Sequence, residues 1–222
     1  MIKLLRGILD FRRNVFPAYR QTFARLGANG QSPDCLFFAC SDSRVVPNLV
    51  SSTQPGDLFA VRNVGNMVPP HPSDVESSPA AAIEFSLMAL GVKDIVVCGH
   101  SGCGAMKALL NPPAAEAVHL RRWLEAGRPR EELLAAPWAE GSGLADFDVL
   151  SQANVLAQLE HLRTYPLVAE REARGEVRLH GWWFEVGSGE VHVWDPEQAR
   201  FVLVDEGMAE ALIERFEPAP AR

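Results

Sequence analysis

The chain has 222 residues, 47% of them hydrophobic and 22% charged, with a formal net charge of -7. This length and apolar share suit one large domain with a sizeable core, and the acidic balance excludes nucleic-acid binding by bulk electrostatics. No apolar run reaches the ~20 residues of a membrane-spanning helix, and the basic clusters Arg121-Arg122 and Arg128 to Arg130 read as solvated helix faces.

The opening MIKLLRGILDFRRN places Leu4, Leu5, Ile8 and Phe11 on one stripe, which predicts an amphipathic helix. Arg6 and Asp10 break its apolar stretch and no small-residue cleavage site follows, unlike a signal peptide. Strands are expected at Cys35 to Ala39, Leu58 to Val61, Ile95 to Cys98 and Val177 to Phe184. Each is short and nearly continuous in apolarity, the pattern of parallel strands covered on both faces. Between them, Pro79 to Leu90 reads as a helix with Pro at its start and Gly91 after its end. Ala105 to Leu110 and Ser151 to Arg163 read as further helices, the latter with Val155, Leu156, Leu159 and Leu162 at helical period. GSGEVHVWDPE after Phe184 reads as a turn and a short return strand, antiparallel at an edge. Gly141-Ser-Gly143 is a loop and the tail EPAPAR is expected to be disordered. Alternating strands and helices predict an α/β fold with a mostly parallel central sheet flanked by helices. The chain divides into an N-terminal helical arm (1–30), an α/β domain (31–216) and a tail (217–222).

Cysteines stand at 35, 40, 98 and 103, in two similar pairs at strand ends. Reduced thiols in a cytoplasmic protein are expected for such a chain, which frees cysteine for metal binding. ACSDSR (39–44) and VVCGHSGCGAMK (96–107) are the two unusual strand ends. Ligands gather at strand carboxyl ends in an α/β sheet, so neighbouring strands would bring Cys40, His100 and Cys103 together. The second segment is no Walker loop, because Ala105-Met106 follows Gly104, and no Rossmann fingerprint, because Lys107 takes the third glycine's place. Cys103 likewise breaks a nucleophile elbow. What remains is His-x-x-Cys with a distant Cys. Two thiolates and an imidazole are good zinc ligands, and three protein ligands with an open fourth position mark a catalytic zinc. The glycines let the backbone turn tightly enough for His100 and Cys103 to face one ion. The spacing alone also fits a buried histidine with two inert core thiols.

ACSDSRVVP together with CGHSGCGAM resembles the β-class carbonic anhydrase family. QSPDCLFFACSDSR, QPGDLFAVRNVGNMVPP, AAIEFSLMALGVKDIVVCGHSGCGAM and RLHGWWFEVGSGEV extend the likeness over most of residues 20 to 195, closest to the plant-type branch with bacterial members. The resemblance implies a zinc enzyme that hydrates carbon dioxide reversibly to bicarbonate and a proton by a zinc-bound hydroxide. It also implies a homodimer, or a multiple of it, built partly by N-terminal helical arms. It matches Cys40, His100 and Cys103 to the zinc ligands and Asp42 and Arg44 to the catalytic dyad. Gln31, Phe59, Val64 and Phe85 match the substrate pocket, with Phe59 contributed across the dimer interface. Phe85 stands where the branch has tyrosine, and Ser78 and Ala80 lie near positions where the family has glycines. Phe37 takes the place of a tryptophan found in members with a non-catalytic bicarbonate site, so no such switch is expected.

Two thiolates would cancel the formal charge of zinc and weaken it as a Lewis acid, so activity is expected to rise above neutral pH. Asp42 could block an open metal position unless Arg44 holds it in a bidentate pair. His71 is a candidate proton shuttle. His119, His161, His180 and His192 lack metal spacing, and Cys35 and Cys98 read as buried inert thiols. Alternatives are a same-fold hydrolase of carbonyl sulfide or carbon disulfide, and a non-catalytic zinc module closed by Asp42. A deaminase-type site is excluded by the absence of His-x-Glu and Pro-Cys-x-x-Cys.

Overall fold

The apolar runs form strands, and the two central ones, Cys35–Cys40 and Asp94–His100, are buried on both faces. In the computed structural model, which describes residues 1–72, 77–129, 133 and 143–216, they are β1 (Cys35–Cys40), β2 (Leu58–Asn63), β3 (Asp94–His100) and β4 (Arg178–Glu185). These run parallel in the order β2-β1-β3-β4. Leu36 and Phe38 enter one core layer with Ile83, Ile95, Val97 and Val155, while Phe37 and Ala39 enter the other with Val45, Val96 and Cys98. A strand apolar at every position is what two covered faces require. Burying a side chain such as Val155 or Leu162 fully contributes ~1.5–3 kcal/mol.

GSGEVHVWDPE does turn back, as β5 (Glu190–Asp195), antiparallel to β4. A further antiparallel strand, β6 (Arg200–Leu203), lies outside β5 and takes the edge. Its four residues between polar flanks are too short a run to stand out in the sequence.

The arm consists of α1 (Ile2–Asp10), a π turn (Phe11–Val15) and α2 (Phe16–Asn29), and none of its residues is buried. Ile2, Leu4, Leu5, Ile8 and Leu9 leave an apolar stripe open to solvent. Among the described residues, the other helices are α3 (Pro47–Val50), α4 (Ser78–Met88), α5 (Gly104–Leu110), α6 (Val118–Ala126), α7 (Asp146–Thr164), α8 (Pro166–Ala173) and α9 (Glu206–Phe216). Ser77 caps α4 by accepting the Ala80 N–H, with Pro79 in the first turn. The stretch that departs from the family's glycines is therefore an ordinary helix start. Helix α7 begins earlier than its apolar period suggested, with Asp146 and Asp148 in the first turn, where the helix dipole favours acids. Gly141, Ser142 and the tail 217–222 lie outside the described residues. Among the described residues, no helix is long and apolar enough to cross a membrane.

From β1 the chain moves out to β2 and then returns past β1 to β3, so the strand order reverses between β1 and β3. The carboxyl ends of two such strands form the crevice where α/β sheets hold ligands. Cys40 ends β1 and His100 ends β3. Gly99 lets α7 lie against this end of β3, because a Cβ there would meet Val155 Cγ2 at 2.7 Å.

Candidate metal centre

The chain turns sharply after each of these strands, and the turns carry the site. Cys40, His100 and Cys103 are buried, and their ligand atoms lie within 4.8 Å of one another. They are the group of three metal-ligating side chains found among the described residues. The two sulfurs are 4.0 Å apart. Two sulfurs each 2.3 Å from a tetrahedral zinc would be separated by about 3.8 Å, so the spacing fits one ion. His100 Nδ1 lies 2.9 Å from the Ser101 carbonyl, which makes Nδ1 the donor and leaves the lone pair on Nε2. Nε2 is buried without a hydrogen-bond partner. An acceptor left bare in the core costs ~1–3 kcal/mol, and a metal ion at this point removes that penalty.

The electrostatics prepare thiolate. Contact with Cys103 Sγ lowers the Cys40 pKa against the opposing effect of burial, aided by the backbone N–H groups of Asp42 and Gly65. The same contact and burial raise Cys103, so the two sulfurs share one proton in the absence of metal. Cys103 is the N-cap of α5, and the nearby backbone N–H groups of Met106 and Ala105 oppose this rise in part. Two buried sulfurs, one of them eased toward thiolate, and one imidazole lone pair are a donor set suited to zinc.

Asp42 and Arg44 stand on the turn after β1. Arg44 Nε donates to Asp42 Oδ1 at 2.9 Å and Nη2 to Oδ2 at 2.7 Å, with the Arg44 backbone N–H on Oδ1 at 3.0 Å. The guanidinium holds the Asp42 carboxyl well below the usual carboxylate range. Arg44 Nη2 also donates to the Gly102 carbonyl at 3.2 Å, tying the dyad to the His100–Cys103 turn. Gly102 sits at φ +65°, a conformation that favours glycine.

Several residues that hold this frame had no signature in the sequence. Arg62 on β2 donates to the carbonyls of Cys40 and Asp42, at 3.1 and 2.7 Å. Asp148 accepts the Gly102 N–H at 2.6 Å. Ser101 Oγ donates to Glu185 Oε1 at 2.6 Å, and Ser151 Oγ to the His100 carbonyl at 2.9 Å.

The pocket residues are placed differently. Phe59 and Phe85 pack together with ring centroids 5.7 Å apart, and Phe85 is half exposed. Val64 is exposed on the loop after β2. Gln31 is exposed beyond α2 and lines a cleft of about 160 Å³ with Arg25, Asn29 and Asp57, which none of the three metal-ligating residues lines. One chain therefore gathers the ligands and the dyad but not Gln31. His71 stacks on Tyr165, with centroids 5.4 Å apart. Burial pushes the Cys35 and Cys98 thiols up to about 12, which suits inert thiols.

The family model described as carbonic anhydrase matches residues 35–191. A carbonic anhydrase of Pseudomonas aeruginosa is 41% identical over 210 residues, covering 93% of each chain. One from Synechocystis is 39% identical over 197 residues, covering 88% of this chain and 71% of that protein. Among solved structures, the β-carbonic anhydrase CcaA aligns with a TM-score of 0.83 at 38% identity, covering 93% of this chain and 92% of that one. A tetrameric β-carbonic anhydrase from Sordaria macrospora aligns at 0.72 and 31% identity, covering 86% and 94%. These matches agree with carbon dioxide hydration and give no support to a carbonyl sulfide or carbon disulfide hydrolase or a non-catalytic module.

Proposed function

Because the chain belongs to the β-carbonic anhydrase family, we propose that Cys40, His100 and Cys103 hold the zinc ion with which it hydrates carbon dioxide reversibly to bicarbonate and a proton. The observation that carries this is a buried imidazole nitrogen without a partner, facing two thiols, beside a carboxylate gripped at both oxygens. Bound there, zinc would supply the Lewis acidity that brings the pKa of a water from 15.7 toward ~7. Arg44 keeps Asp42 ionised and turned away from the ligands. The remaining lone pairs of Asp42 accept an O–H of the attacking water and aim its oxygen at the carbon of carbon dioxide. The proton released then leaves through solvent or a histidine such as His71.

Phe59, Val64 and Phe85 form the apolar wall for this small apolar substrate, and the Gln31 amide donates to one of its oxygens. Since Gln31 lines a separate cleft in its own chain, a second copy would bring it to the site. The uncovered stripe of the arm and the tetrameric relative from Sordaria macrospora support a homodimer or a multiple of it. A reducing cytoplasm suits a centre built on two free thiols. Metal analysis of the purified protein with stopped-flow hydration at about pH 7 and about pH 8.5 tests the reading. One zinc per chain and measurable hydration are expected; absence of either refutes it.

A further inference from the structure

Helix α7 carries a row of polar side chains behind the ligand crevice, all but the first of them buried. Asp148, Ser151, Asn154, Gln158 and His161 follow at steps of three or four and share one face. Ser151 is 1% exposed and Asn154 and Gln158 are 0% exposed. Polar groups this deep are costly unless hydrogen-bonded, and each finds a partner on the backbone of a loop or a strand end. Two of them hold the ligand turn, Asp148 at the Gly102 N–H and Ser151 at the His100 carbonyl. Gln158 bonds the Gly127 carbonyl at 2.8 Å and the Val68 N–H at 2.7 Å. Asn154 Nδ2 donates to the Gly65 carbonyl at 2.9 Å, while its Oδ1 accepts from Gln158 Nε2 at 2.9 Å.

Gly65 is where this row reaches the third ligand, because its own N–H donates to Cys40 Sγ at 3.4 Å. The residue sits at φ +81°, and a Cβ there would lie 2.9 Å from the Ala105 Cβ, so the loop is wedged against α5. Trp123 Nε1 holds the preceding carbonyl, that of Val64, at 2.7 Å. With the Asn154 amide gone, the Gly65 carbonyl would be buried without a donor. Rotation of the loop backbone would relieve that, and would carry the N–H off the sulfur.

We propose that Asn154 is a positioning residue of the metal centre, holding Gly65 so that its N–H stays on Cys40 Sγ. This rests on the reading of Cys40 as a metal ligand. A donor fixed on a ligand sulfur sets the direction of its lone pairs and draws off part of its charge. Partners of this kind are typically worth about 10- to 100-fold in metal affinity.

Asn154→Asp keeps the shape and the acceptor for Gln158 but offers no N–H to Gly65, and Asn154→Leu removes that N–H without introducing a buried acid, giving up the acceptor for Gln158 as well. His161→Gln is the comparison: it disturbs a buried contact to the Val68 carbonyl on the same helix face without touching Gly65. Zinc affinity is measured by chelator competition on the purified proteins, and melting temperature with and without chelator. The sulfur-to-metal charge-transfer band of the cobalt-exchanged proteins is recorded as well. Both Asn154 variants should bind zinc at least about 10-fold more weakly, lose part of the metal-dependent rise in melting temperature, and shift the cobalt band. His161→Gln should melt lower with all three metal readouts unchanged. Wild-type affinity in the Asn154 variants, or an equal loss in His161→Gln, overturns the positioning role alone. A wild-type protein that binds no zinc overturns the metal reading and this inference together.

Discussion

Replacing Arg44 by alanine should separate metal binding from chemistry. In the intact site the Asp42 carboxylate receives two bonds from the guanidinium, at 2.9 and 2.7 Å, and one from the Arg44 backbone at 3.0 Å. Alanine retains only the last. Each lost bond is charge-assisted and worth ~1.5–3 kcal/mol where water is excluded, but the Arg44 side chain is 47% exposed, which cuts the loss of stability to ~0–1 kcal/mol. For a chain of this size that is a fall in melting temperature of no more than ~4 °C. The side chain bonds Asp42 and the Gly102 carbonyl and touches no ligand atom through a hydrogen bond, so zinc content should stay at its wild-type level. The rate is where the loss appears. A carboxylate free to swing no longer orients the attacking water and can turn onto the metal, and misplacement of this order costs about 10²-fold. Stopped-flow hydration should therefore show kcat down by about that factor at unchanged zinc content. Arg44→Lys should recover only a small part, because an ammonium restores the charge without the two-pronged grip. Near-normal turnover in Arg44→Ala would refute the reasoning, and so would loss of zinc in parallel with activity.

Hydration by the wild-type protein should rise between about pH 7 and about pH 8.5, because two thiolates weaken the metal as a Lewis acid; a flat profile would contradict that charge argument. Deleting residues 1–30 should leave a chain that sediments as a monomer with much reduced hydration, and unchanged mass and rate would remove the arm from assembly. At the start of β3, burial disfavours the Asp94 charge, but bonds from His180 at 2.7 Å and Arg178 at 2.8 and 2.7 Å outweigh it and hold its pKa at about 2, against 3.8 for an ordinary aspartate. Since the folded value lies below the unfolded one, this contribution is complete above about pH 4 and is lost as the pH falls through about 2. At full strength it is ~2 kcal/mol, and solvent access at the sheet rim reduces it to ~1 kcal/mol. Asp94→Asn should lower the urea midpoint at neutral pH and flatten its fall below about pH 4; identical acid profiles would dismiss the cluster as a source of stability.

The sheet was legible because two covered faces leave an unmistakable trace: Cys35 to Cys40 and Asp94 to His100 have almost no polar position to hide behind. The start of α7 was not, because in its first turns Phe147, Val149 and Leu150 alternate with Asp146, Asp148 and Ser151, and Phe147 and Leu150 pack into a different cluster from that of Val155, Leu156, Leu159 and Leu162. β6 escaped because an edge strand of four residues carries too little pattern. In the site, Cys40, His100 and Cys103 could be read as a group because ligands are recognised by residue type, and Asp42 with Arg44 because they are near in sequence and opposite in charge. Gln31 was named from family resemblance, and its own chain gives it a different cleft.

The residues that hold the ligands were invisible for a different reason. Arg62, Asp148, Ser151 and Asn154 each bond a backbone carbonyl or N–H of a distant segment. Every residue but proline offers the same carbonyl and N–H, so such a partner leaves no residue type to match against. The trace it does leave lies on the side-chain end. A helix whose apolar stripe is complete in Val155, Leu156, Leu159 and Leu162 has no packing need for Ser151, Asn154 and Gln158 on a buried face. Surplus polar residues on a helix buried all round therefore point to loops that must be held still. Here those loops are the ones that carry Gly65, Val68, His100 and Gly102.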